Sequence, residues 1–165
     1  MSTSLHTRFA PDWNLIKSQW DASQRFFLEA GVEADVAHSL TMTTQELLEN
    51  AVKYGKFDPG DEVDLAIEAD DGLITIEVRN PLTSDPALLR ALDDTVQWIR
   101  SFQNPFEAFV ARLKQVAASA YQPGVSGLGL VRIAYEAQCL LDFYVDDDEQ
   151  LALSAVYRID RRGLE

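Results

Sequence analysis

The chain has 165 residues, 47% of them apolar, enough for one domain with one sizeable core. Its formal net charge of −13 excludes a nucleic-acid partner, because phosphate-backbone binding needs a basic stripe that the sequence lacks. Cys139 stands alone in an apolar run, so no disulfide framework exists and a buried thiol is expected; no signal-peptide core precedes Pro11 and no run approaches membrane-spanning length, so a soluble cytoplasmic protein is expected.

The segment up to Pro11 reads as a loose N-terminus. From Asp12 to Ala30, the spacing of Trp13, Ile16, Trp20, Phe26, Phe27 and Leu28 predicts a helix ending near Gly31. A longer helix is predicted from Glu33 to Tyr54, with Val36, Leu40, Met42, Leu47 and Leu48 inside and Gly55 as its C-terminal stop. After the turn at Asp58-Pro59-Gly60-Asp61, Val63, Leu65 and Ile67 alternate with polar residues, as do Leu73 or Ile74, Ile76 and Val78. Ala69-Asp70-Asp71-Gly72 between the two runs predicts a hairpin of antiparallel strands.

Beyond Asn80-Pro81 the period becomes helical, with Leu88, Leu92, Val96, Ile99 and Phe102 on one stripe broken at Asn104-Pro105. A further helix is predicted from Phe106 to Ala120, and another from Leu130 to Ala137. Leu140–Val145 and Leu151–Ile159 read as a closing hairpin around Asp146-Asp147-Asp148-Glu149. These four acids point different ways on a turn, which favours a solvated tip over a metal site. The order predicts an α+β fold: a two-layer sandwich with helices packed on one face of a mixed or antiparallel sheet. No linker or repeat divides it, so residues 1–165 are expected to form a single domain with a helical insert at about 86–120.

Two segments carry chemistry. In Glu46-Leu47-Leu48-Glu49-Asn50-Ala51-Val52-Lys53-Tyr54-Gly55, a carboxylate, an amide and an ammonium recur at i, i+4 and i+7, on one helical face. That stripe suits a magnesium–phosphate group, with oxygen ligands for a hard cation and a cation for phosphate; a solvated polar face is the plainer reading. The second segment is Ser126-Gly127-Leu128-Gly129-Leu130-Val131-Arg132-Ile133. Its glycines, placed just before a helix, let backbone amides approach a polyphosphate, although glycines also serve as helix entries.

In this order the two segments resemble the N-box and second glycine box of the ATPase superfamily of gyrase, MutL and histidine kinases, the Bergerat fold. The resemblance implies a histidine-kinase-type ATP-binding domain with ATP and Mg2+ as cofactors. It implies Asn50 as magnesium ligand, Lys53 as a phosphate contact and Tyr54 beside the nucleotide, with Gly127, Leu128 and Gly129 at the phosphates. Glu46 falls where serine kinases of the superfamily place the group that orients or deprotonates the nucleophile, and a carboxylate one turn from the metal ligand suits a general base. From the residues alone, a capping or salt-bridging glutamate is the lesser alternative for Glu46, while Lys53 is equally a surface lysine and Tyr54 equally a core residue.

The chain departs from the family after the second strand. The usual Asp-x-Gly-x-Gly is replaced by Arg79-Asn80-Pro81-Leu82-Thr83, and Asn80 stands where the adenine-binding Asp would be. An amide accepts from the adenine amino group and donates to a ring nitrogen, so recognition survives; a turn Asn before Pro is the alternative. The 86–120 insert then takes the place of the first lid hinge, its stripes serving either as core or as a partner surface. The combination resembles the SiaB-type kinases over about residues 40–158, and the segment before it resembles RsbW-like anti-sigma-factor serine kinases.

This implies an ATP- and Mg-dependent protein serine/threonine kinase of a partner-switching signalling module, acting on a small anti-anti-sigma, STAS-like partner. The alternative is a degenerate, non-catalytic Bergerat domain that sequesters a regulator. His6 and His38 lack the surroundings of a phosphoacceptor histidine. Assembly state, a homodimer included, is left open.

Overall fold

The computed structural model describes residues 2–82, 85–118 and 129–159. The element order is β1 (Thr3–Phe9), α1 (Trp13–Glu29), α2 (Ala34–Tyr54), β2 (Val63–Asp70), β3 (Leu73–Pro81), α3 (Pro86–Arg100), α4 (Pro105–Ala118), α5 (Gly129–Glu136), β4 (Leu140–Val145) and β5 (Gln150–Arg158). The five strands form one sheet in the order β1-β2-β3-β5-β4, every neighbouring pair antiparallel. Helices cover one face, which gives the α+β two-layer sandwich that the element order implies.

Alternation decides which side of each strand is dry. Val63, Leu65, Ile67, Ile74, Ile76 and Val78 turn inward and are buried, while Asp64, Glu68, Glu77 and Arg79 lie on the other face. Onto the inner face α2 lays Ala37, Leu40, Leu47, Leu48 and Ala51, and α1 adds Ile16 and Phe27. The buried threonines of α2 satisfy their hydroxyls locally, Thr41 donating to the Ala37 carbonyl at 2.7 Å and Thr44 to that of Leu40 at 2.9 Å. Gln45 Nε2 donates to the Ile16 carbonyl at 3.0 Å, a buried bond that ties α1 to α2 just ahead of Glu46.

The hairpin between β2 and β3 turns at Asp71 and Gly72, with φ of 47° and 79°. Positive φ at both central residues is what a two-residue connection with the right-handed strand twist requires, and Asp-Gly tolerates it. The closing hairpin is organised by Asp146, whose Oδ1 accepts from the backbone N–H of Asp148 and of Gln150, each at 2.9 Å. Its Oδ2 accepts from Arg79 Nη1 at 3.0 Å, on the sheet face away from the helices.

The N-terminus differs from the sequence expectation. Residues 3–9 are not loose but form edge strand β1, in register with β2 from Thr3↔Ala69 to Phe9↔Val63. Thr3, Leu5, Thr7 and Phe9 do alternate, but of these only Phe9 is buried. Backbone pairing and the clasp of Asp64 by His6 Nε2 (2.7 Å) and Arg8 Nε (2.8 Å) supply the rest. Met42 also departs from expectation, being 37% exposed rather than inside.

Candidate functional site

The helical spacing of Glu46, Asn50 and Lys53 becomes geometry here. All three line one cavity of about 550 Å³ bounded by α2, α3, the first turn of α5 and the ends of β3 and β5. Tyr54 and Asn80 line the same cavity, as does Gly129, while Gly127 and Leu128 lie outside the described residues. A volume of this size is ordinary for a small-molecule site, for which about 300–1,000 Å³ is typical.

Glu46 is the most constrained member. It is partly buried between α2 and α5, and its carboxyl is pushed above the ordinary glutamate range, first by burial and then by the Glu49 carboxylate. Arg132 and Lys53 oppose that rise by favouring the ionised form. Gly129, at the start of α5, lies directly against it: a Cβ at position 129 would overlap the Glu46 carboxylate. On its other side Glu46 borders a smaller cleft of about 50 Å³, shared with Ser39, Met42, Thr43, Arg132 and Glu136. Arg132 Nη2 lies 3.3 Å from Glu136 Oε2.

Lys53 is exposed, with its Nζ 5.2 Å from the centre of the Tyr54 ring. Tyr54 is itself 37% exposed at the cavity, so it is not the core residue that the sequence left open. Asn80 closes β3 and is buried at 4% exposure; its Nδ2 donates to the Pro81 carbonyl at 2.9 Å. One amide hydrogen is thus committed to its own strand end.

Gly55 holds Asn80 in place by its size. Its φ is −70°, so the end of α2 is not the left-handed cap expected of a terminal glycine. A Cβ there would instead stand 2.6 Å from the Ala51 carbonyl oxygen and 2.9 Å from Asn80 Nδ2. Gly55→Ala is expected to destabilise the fold by about 1–3 kcal/mol, the usual cost of overpacking, read as a lower urea midpoint at unchanged m.

Several lining residues were not assigned to the site from the sequence: Trp13, Glu49, and Leu88, Leu89 and Leu92 of α3. Leu88 and Leu92 belong to an insert stripe that reads as core or as a partner surface, and Trp13 to the apolar face of a helix start. Other candidates lie apart from the cavity. Cys139 is buried, its thiol pushed up to about 12 by desolvation, which makes it a poor nucleophile. His6 sits on the open sheet face, and His38 packs edge-on against Trp20, ring centres 5.7 Å apart. Among the described residues, no helix is long and apolar enough to cross a membrane.

No protein-family model matches the chain, and no curated protein matches it. A chain in the crystal structure of the SiaB–SiaC complex from Pseudomonas aeruginosa is similar in structure, with a TM-score of 0.71 at 18% sequence identity over 93% of this chain and 88% of that one. The chain therefore has the fold of a chain of the SiaB–SiaC complex, in agreement with the SiaB-type resemblance of its two motifs.

Proposed function

We propose that this protein is an ATP- and magnesium-dependent protein serine/threonine kinase of a partner-switching module, which phosphorylates a small anti-anti-sigma-like regulatory protein. One observation carries the reading: Glu46, Asn50 and Lys53 of α2, with Asn80 and Gly129 from two distant segments, all chosen for their chemistry, line a single cavity. The structural neighbour comes from a complex of two proteins, which supports a protein as the second substrate.

The donor set fits the ligand. Asn50 offers a neutral amide oxygen to a hard cation that keeps most of its shell as water and phosphate oxygen. Bound magnesium would neutralise charge on the phosphates. Lys53 supplies a point charge for phosphate, and the Asn80 oxygen accepts from an adenine amino group. Glu46 takes the proton of the acceptor hydroxyl onto a carboxylate oxygen as that hydroxyl attacks the γ-phosphoryl group, ADP being the leaving group. Its raised pKa makes it a better proton acceptor than an exposed glutamate, and the ionised, competent form increases as pH rises.

The replacement of the first glycine pair by Asn80-Pro81 favours a second reading, a domain that sequesters its partner without phosphorylating it. Calorimetric titration with ATP, with and without magnesium, tests the first step. Binding that strengthens with magnesium is expected, and Asn50→Ala is expected to abolish the magnesium-dependent part while circular dichroism stays unchanged. Equal affinity of wild type and variant in magnesium removes Asn50 from the metal site. No binding at millimolar ATP moves the balance to sequestration.

A further inference from the structure

The apolar stripe of α3 has two unlike halves. Val96 and Ile99 are buried, whereas Leu88 is 39% exposed and, with Leu89 and Leu92, faces the cavity. The sheet supplies a second apolar surface to the same cavity. β3 and β5 pair with Asn80 opposite Leu151 and Val78 opposite Leu153, and all four residues line the cavity from the helix-facing side. Among the described residues, Asn80 is therefore the polar side chain that the sheet sets in an apolar floor of Val78, Leu151 and Leu153. The charged and metal-competent groups, Glu46, Glu49, Asn50 and Lys53, all come from α2 instead.

The cavity thus has two chemical regions. One suits a metal-bound polyphosphate. The other suits a flat apolar group with a single hydrogen-bonding edge, which describes a nucleobase and not a sugar or a peptide carboxylate. Leu88, in the N-terminal half of the α3 stripe, is exposed beside the cavity, so a ring placed there would remove apolar surface from water.

Resting on the ATP reading above, we propose that Leu88, Leu89 and Leu92 form a wall of the nucleobase subsite, packing against the purine of ATP above the floor of Val78, Leu151 and Leu153. The insert helix then supplies base affinity directly, in a chain whose β3 end carries no glycine pair. Leu88, being exposed, is replaceable without harm to the core; Leu92 packs partly against it.

The test compares two probes by calorimetry in magnesium: ATP, and inorganic tripolyphosphate, which has the charge but no base. Leu88→Ser is expected to weaken ATP by about threefold to fivefold, and Leu88→Ala/Leu92→Ala by about tenfold or more, the range for lost apolar contact in a pocket. Tripolyphosphate affinity is expected to stay within about twofold of wild type, the variants having lost no group assigned to phosphate. Unchanged ATP affinity in Leu88→Ser, with a wild-type circular dichroism spectrum, overturns the inference and leaves the kinase reading intact. An equal loss for both probes also overturns it, because a distorted cavity and not a base contact would then be at work. Failure of wild type to bind ATP removes the underlying reading itself, and the wild-type control shows it separately.

Discussion

Glu46→Gln is expected to leave magnesium–ATP affinity within a few-fold of wild type and to lower phosphoryl transfer to the partner by about 10²–10⁴, the usual worth of a positioned general base. Gln keeps the size and the hydrogen bonding of Glu46 but cannot take up a proton. The same substitution should erase the limb of the pH–rate profile that rises as Glu46 ionises, a limb displaced upward because burial and Glu49 disfavour the carboxylate. Quench-flow measurement of transfer across pH, with the partner at saturation, supplies both numbers. A loss below about tenfold would make Glu46 an orienting residue, since a loose phosphoryl-transfer transition state asks little of a base. A folded wild type that binds ATP and transfers nothing to a verified partner would leave sequestration as the function.

Gly129→Ala should be nearly as damaging, for a reason the sequence alone does not contain. The glycine motif suggests that backbone amides approach phosphate there. The structure adds that Gly129 is the first residue of α5, with the Glu46 carboxylate occupying the space of its absent Cβ. A single methyl must displace the carboxylate, so transfer is expected to fall by about 10² or more, while helix propensity at that position improves. The effects of Gly129→Ala and Glu46→Gln should not add: the double variant should transfer at about the rate of the worse single one, as for residues that act as a unit. Full additivity would show that the two side-chain spaces are independent. Gly129→Val, with more bulk at the same point, should in addition weaken ATP binding.

The parts of the fold legible in the sequence are those whose physics is local. The Asp-Gly hairpin, the period of α2 and the alternation of β2 and β3 follow from turn chemistry and from burial on one face. The i, i+4, i+7 spacing of Glu46, Asn50 and Lys53 likewise put three functional groups on one wall before any coordinates. What escaped is long-range. Strand β1 exists because β2 offers an edge, and its own residues, Thr3, Leu5 and Thr7, bury too little to announce it. Leu88 and Leu92 continue the stripe of Val96 and Ile99, and no pattern within one helix distinguishes a half that meets the core from a half that meets a cavity. Gly55 was expected as a helix stop and Gly129 as a phosphate approach or helix entry; neither expectation contains the crowding beside them, from Ala51, Phe57 and Asn80 in one case and from Glu46 in the other.

The contact between residues 46 and 129 also limits how this sequence can drift. Across 82 intervening positions, the reach of one side chain constrains the size permitted to the other. A chain with this backbone that acquires Ala at 129 must turn the Glu46 side chain aside or shorten it, Asp being the acid one methylene smaller, whose carboxylate is drawn back toward α2. Paired exchange at the two sites is thus a route by which this corner of the protein can change and still keep an acid there.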